Sequence, residues 1–193
     1  MSEHNTGMEG AKVRGALARV KWAWGERRNE LAITGLRMTV ALIFINSAWG
    51  KLTNPNIVAS FRATNNTFAG KSSFGFYGDF LRGFVIPNAD WFAYLVAYGE
   101  MFAGVALLLG LLTNAGAVAA FLLNLNFWMA ASNTGASTAG INIAMGAVAM
   151  MVLLAPGAKW LSVDRWLAEH PLKGLAAKHP KLTRMMIGRK VEA

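Results

Sequence analysis

An acid and two bases stand inside otherwise apolar sequence, and their types suit proton transfer. Glu100 interrupts "AYGEMFAGVALLLGLLT", residues 97–113, while Arg37 and Lys51 lie in "ITGLRMTVALIFINSAWGKL", residues 33–52. A carboxylate beside a cation can hold or release a proton next to a carbonyl that is being reduced. In hydrocarbon an ionised side chain costs roughly 2.5–3.5 kcal/mol on insertion scales, so Glu100 must face protein, either paired or protonated. Arg37, Phe44 and Lys51 are seven residues apart and share one helical stripe, so either cation can be its partner. The amides Asn46, Asn124, Asn126 and Asn142 complete the polar set, with Ser47 beside Asn46. The competing reading is that these groups only join helices, at about 0.6 kcal/mol per contact. That reading is preferred for Asn142, and Lys51 at a helix end can simply extend to the membrane surface. Trp49 likewise suits an interfacial anchor.

The elements that must hold these residues are apolar and long. Of 193 residues 54% are hydrophobic and only 15% charged, against about 25% charged in soluble domains. Four segments qualify as spans, at about 33–52, 91–112, 115–132 and 139–155. None has the polar face of an amphipathic surface helix, so the expected fold class is all-α, an integral membrane four-helix bundle. At about 1.5 Å per residue, Glu100, Asn46 and Asn126 fall roughly 18, 19 and 16 Å deep, as one polar layer.

Short links at Thr113–Asn114 and at "NTGAST", residues 133–138, make the last three spans antiparallel neighbours. The 53–90 connection is long, broken by Pro55, Gly70, Gly75, Gly78 and Pro87, and rich in phenylalanine. A short helix after Pro55 and aromatics roofing the bundle or lying on the bilayer are expected there. Of 19 Lys and Arg, six lie in residues 1–32 and eight in residues 156–193. Both tails are therefore expected in the cytoplasm and the 53–90 loop outside, in a multi-pass cell-membrane protein. Residues 11–28, with Val13, Leu17, Val20 and Trp24 on one stripe, suit an amphipathic N-terminal interfacial helix. The first 30 residues are charged throughout and hold no apolar core of a signal peptide.

Several functions are excluded. With no cysteine, disulfides, thiolate chemistry and cysteine-ligated metals are ruled out. His4, His170 and His179 all sit in the tails, so no covalent cofactor, metal site or haem within the bilayer is expected. The net charge of +9 flanks the apolar part without any nucleic-acid-binding motif, so no nucleic acid is expected as a partner.

The stretches "RMTVALIFINSAWGKLTNP" (37–55), "VIPNADWFAYLVAYGEMFAGVALLLGLLTNAGA" (85–117), "LNFWMA" (125–130) and "KWLSVDRWL" (159–167) resemble the DoxX/DoxD family of small four-span membrane proteins. Their order and spacing agree over four helices, while the tails and much of the 53–90 loop fall outside the likeness. DoxD is the membrane subunit of an archaeal thiosulfate:quinone oxidoreductase that works with a second subunit, DoxA. Other members are described as membrane partners of redox or detoxifying proteins. The resemblance implies a role for Arg37, Lys51 and Glu100 at recurrent charged positions, and for Asn126 and Trp128 in the "NFW" segment.

The expectation is a quinone-linked redox subunit in the lipid bilayer, with protein partners and membrane quinone as substrate. Glu100, Lys51 and Arg37 are the candidate catalytic residues; Asn126, Trp128, Trp49 and Asn46 are the candidates for holding the quinone. Arg62, Lys71 and Arg82 would draw a sulfur anion to the outer face. The alternative is a non-catalytic anchor or assembly subunit of a larger membrane complex.

Overall fold

The structure, a computed structural model, describes residues 3–155, 161–170 and 178; before residue 28 it describes the backbone alone. The described residues form helices without strands: α1 (Glu3–Leu52), α2 (Ile57–Lys71), α3 (Gly75–Phe80), a π-helical turn (Leu81–Val85), α4 (Ala89–Leu109), α5 (Thr113–Ala131), α6 (Ala136–Leu154) and α7 (Val163–Glu169). Four stretches are long and apolar enough to cross a membrane: Arg28–Leu52 of α1, α4, α5 and α6. The chain is thus an all-α multi-pass membrane bundle. Helix α1 continues unbroken from Glu3, so residues 11–28 form its first half and not an element of their own. The side chains of the Val13–Trp24 stripe, and the basic tail beyond 170 apart from residue 178, lie outside the described residues.

Small residues set how closely the spans approach. The buried face of α1 carries Thr34, Arg37, Ala41, Phe44 and Ala48, at steps of three and four. It meets a buried face of α4 built from Ala93, Ala97, Glu100, Gly104 and Leu107. Lipid is as apolar as leucine, so these helices associate through close contact and polar bonds rather than by escaping water. A Cβ on Gly104 would stand 2.7 Å from Ile45 Cγ1 and 3.0 Å from the Ala41 carbonyl oxygen. Gly104→Ala should therefore lower thermal stability in detergent by about 1–3 kcal/mol, because backbone and not only a side chain must shift. A melting temperature equal to wild type would contradict this contact.

The expected turn at Thr113–Asn114 lies instead at Gly110–Leu112, and α5 begins at Thr113. Gly110 ends α4 in the left-handed conformation, φ 65°, which glycine adopts without the Cβ penalty. Leu112 is also left-handed, φ 53°. Asp164 of α7 holds this turn. Its Oδ1 accepts from the Leu112 N–H at 2.8 Å, its Oδ2 from the Thr113 N–H at 2.8 Å, and its own N–H donates to the Gly110 carbonyl at 2.9 Å. The carboxylate thus satisfies donors that a helix start leaves open, where negative charge is favoured.

The 53–90 segment is a helical cover, not an open loop. Tyr77, Leu81 and Val85 pack with Ala69 of α2 and Ala130 of α5, flanked by Phe61, Phe68, Phe74 and Phe92. Two hydrogen bonds tie the cover to the end of α5: Ser72 Oγ to the Met129 carbonyl, and the Ser73 N–H to Ser132 Oγ, both 2.8 Å. Arg28 and α7 lie at the other end of the bundle, where Arg37 Nη2 donates to the Leu161 carbonyl at 3.0 Å.

Candidate functional site

Lys51 ends α1 on the face already set by Phe44 and Ala48. A helical side chain leans toward the N-terminus of its helix, so the ammonium returns to the level of Ser47. There Lys51 Nζ donates to Ser47 Oγ at 2.7 Å and to the Glu100 carboxylate at 2.9 and 2.6 Å. Glu100 is 1% exposed, about 16 Å along α4 from Ala89. The close contact at Gly104, one turn on, brings the two helices near enough for this pair. The first question raised by the sequence is thereby answered: Glu100 faces protein, and of the two candidate cations Lys51 is the one that meets it.

The pair forms part of the wall of a cavity of about 350 Å³ between the bundle and its cover. Phe61, Phe68, Phe80, Phe92 and Phe127 supply most of the lining, with Tyr77, Asn65, Asn126, Thr138 and Asn142 as polar points. The volume lies within the usual range for small-molecule sites. Two of the amides are already committed along their own helices: Asn65 Nδ2 donates to the Phe61 carbonyl at 2.9 Å and Asn142 Nδ2 to the Thr138 carbonyl at 2.8 Å. Burial pushes the Tyr77 hydroxyl up to about 12, against a smaller opposite effect from the Asn126 side chain, so it remains a proton donor throughout the physiological range.

The remaining sequence candidates are placed elsewhere. Arg37 is wholly buried at the far end of the bundle, on the Leu161 carbonyl and within the field of Asp164. Trp49 is 64% exposed and Asn46 is exposed; neither lines the cavity. Trp128 sits just beyond it, edge-on to Phe74 of the cover with ring centroids 5.2 Å apart. Asn124 is buried and bonds back to the Ala120 carbonyl at 2.8 Å, which makes it part of the α5–α6 contact. Two of the three cations of the cover are engaged locally: Arg62 lies 3.6 Å from Asp90, and Arg82 3.1 Å from Asp79. That leaves less positive field for drawing in an anion.

Sequence reasoning passed over Tyr77, Ser47 as a partner of the pair, and Asp164. Tyr77 stands in "FGFYGDF" as one hydroxyl among phenylalanines, which reads as an aromatic surface rather than as a donor. "SVDRW" does carry a helix-start signal, and Ser162 Oγ accepts from the Arg165 N–H. Nothing local shows that Asp164 caps a different helix.

A family model described as DoxX matches residues 32–133, rather more than half of the chain. Comparison with curated proteins and with solved structures gives no match. The matched stretch holds Arg37, Lys51, Glu100, Asn126 and the whole cover, and it runs over three of the four apolar helices. The chain belongs to the DoxX family of small membrane proteins.

Proposed function

We propose that this chain is a quinone-linked redox subunit, with the cavity between bundle and cover as its quinone site. The observation that carries the reading is the Lys51–Glu100 pair in the wall of an aromatic cavity of about 350 Å³. Aromatic walls favour a flat ring with offset or edge contacts, and the charges of the pair cancel, which suits a neutral headgroup. Reduction of a quinone to a quinol takes two electrons and two protons. The pair lies where such protons are needed and can pass one through Glu100, with the Lys51 ammonium stabilising negative charge on the oxygen as electrons arrive.

The electrons come from a donor outside the described residues. The family likeness points to a sulfur anion of the thiosulfate type: two thiosulfates join through a new S–S bond to give tetrathionate and release the two electrons. With the Lys/Arg-rich ends in the cytoplasm, the cover faces outward and the donor reaches the quinone from that side. Arg37 is assigned to holding the far end of the bundle, not to the reaction.

The test is purification in mild detergent, extraction and quantification of bound quinone, and donor-driven reduction of a short-tailed quinone in proteoliposomes. Near-stoichiometric quinone and saturable reduction with thiosulfate are expected. A large complex with no quinone on this subunit and no saturable quinone binding would establish the assembly role instead.

A further inference from the structure

We propose that Tyr77 is an anchoring residue of this cavity, donating its hydroxyl proton to a carbonyl oxygen of a neutral bound molecule. The inference rests on the quinone reading and assigns one contact within it. Tyr77 is 4% exposed and lines the cavity, yet among the described residues its hydroxyl meets no hydrogen-bond partner of acceptable geometry. Buried polar groups are nearly always satisfied, and an exception next to a cavity marks a place where something else supplies the partner.

Several donors of the cavity wall are engaged within the protein. An ammonium has three protons, and Lys51 Nζ has three acceptors in Ser47 Oγ and the two Glu100 oxygens. The amides of Asn65 and Asn142 donate to backbone carbonyls of their own helices. The buried Tyr77 hydroxyl, with Asn126 acting on it from α5, can thus meet an incoming acceptor without breaking an existing bond. The pair contributes no net charge to the wall, so the fitting ligand is uncharged with an acceptor oxygen. A 1,4-dicarbonyl ring held at Tyr77 by one oxygen would turn the opposite oxygen away from it, as a two-ended headgroup requires.

Tyr77→Phe isolates this contact, because the ring stays against Phe76 and Phe80 while the hydroxyl is removed. Calorimetric binding of 2-methyl-1,4-naphthoquinone and of 2-methylnaphthalene to the purified full chain would be compared. Wild type should favour the quinone over the hydrocarbon. The variant should lose about three- to tenfold of its quinone affinity, with hydrocarbon affinity unchanged and Tm no lower than wild type. Equal quinone affinity in both proteins, or a fall in Tm marking the hydroxyl as structural, would overturn the assignment. Wild type that binds neither probe saturably would remove the quinone reading itself, and the role of Tyr77 with it. Should the variant not fold, the infrared spectrum of carbon-13-labelled quinone on wild type decides alone. One carbonyl shifted to lower frequency supports the contact, and two unshifted carbonyls overturn it.

Discussion

Glu100→Ala should both destabilise the bundle and abolish quinone reduction, and the two losses should be separable. Removing one partner of a buried ion pair leaves the other charge uncompensated, at about 3–5 kcal/mol. The Lys51 side chain is 35% exposed and can swing its ammonium toward the cavity, which places the loss near the lower figure. The double variant Lys51→Met/Glu100→Leu replaces both charges by apolar groups of similar bulk and should recover most of that stability. On the proposed function it should not recover turnover, because the group proposed to transfer protons is gone and such groups contribute about 10²–10⁴-fold in rate. Glu100→Gln keeps a hydrogen bond to Lys51 and should fold well while remaining inactive. Melting temperatures in one detergent, set beside initial rates of quinone reduction, give the comparison. A well-folded double variant that still reduces quinone would show that the pair is structural.

The second large effect is expected at the opposite end. Asp164→Ala should lower stability by about 3 kcal/mol or more, through two mechanisms at one residue. The start of α5 loses two backbone hydrogen bonds, and a lost helix cap alone costs about 0.5–2 kcal/mol. Arg37, wholly buried, also loses the negative charge that acts on it. Asp164→Asn keeps one acceptor oxygen but not the charge and should fall between the two. Hydrogen exchange at the Leu112 and Thr113 amides should rise sharply in the alanine variant. Quinone binding per folded molecule should stay unchanged, since the cavity lies at the other end of the bundle. Unaltered exchange at both amides would contradict the capping role.

The fold was largely legible because bilayer crossing imposes one pattern, a run of about twenty apolar residues, that needs no tertiary information. Part of the site was legible for a related reason. An acid in such a run is so unfavourable alone that Glu100 announced a partner, and Lys51 was one of two named. The choice between Arg37 and Lys51 could not be made on a stripe alone, because both share it. It is decided by how the chain just before α7 returns to the Arg37 end, through a contact with Leu161, 124 residues away in sequence. The cover was legible only in part: a helix after Pro55 and a roof of aromatics were expected, with a place on the bilayer surface as the alternative. Glycine and proline in 53–90 read as breaks in a loop, whereas they separate short helices whose aromatic faces are buried against one another and against α4 and α5. Trp49 and Asn46 show the limit of depth counting, which gives height along a helix but not the direction in which a side chain points.

The Arg37–Leu161 contact has a consequence for how the protein is made. The first span enters the bilayer carrying a guanidinium whose carbonyl partner, and whose neighbouring carboxylate at Asp164, have not yet been synthesised. Until the ribosome has added the last span and the segment after it, that arginine must be satisfied by lipid headgroups or water at the membrane edge. Synthesis of Leu161 and Asp164 then allows it to withdraw from solvent and closes this end of the bundle. An early stop before Leu161 would leave the arginine without that carbonyl and without the Asp164 charge. The segment that carries Leu161 and Asp164 thus closes this end of the bundle only after all four apolar helices have been made.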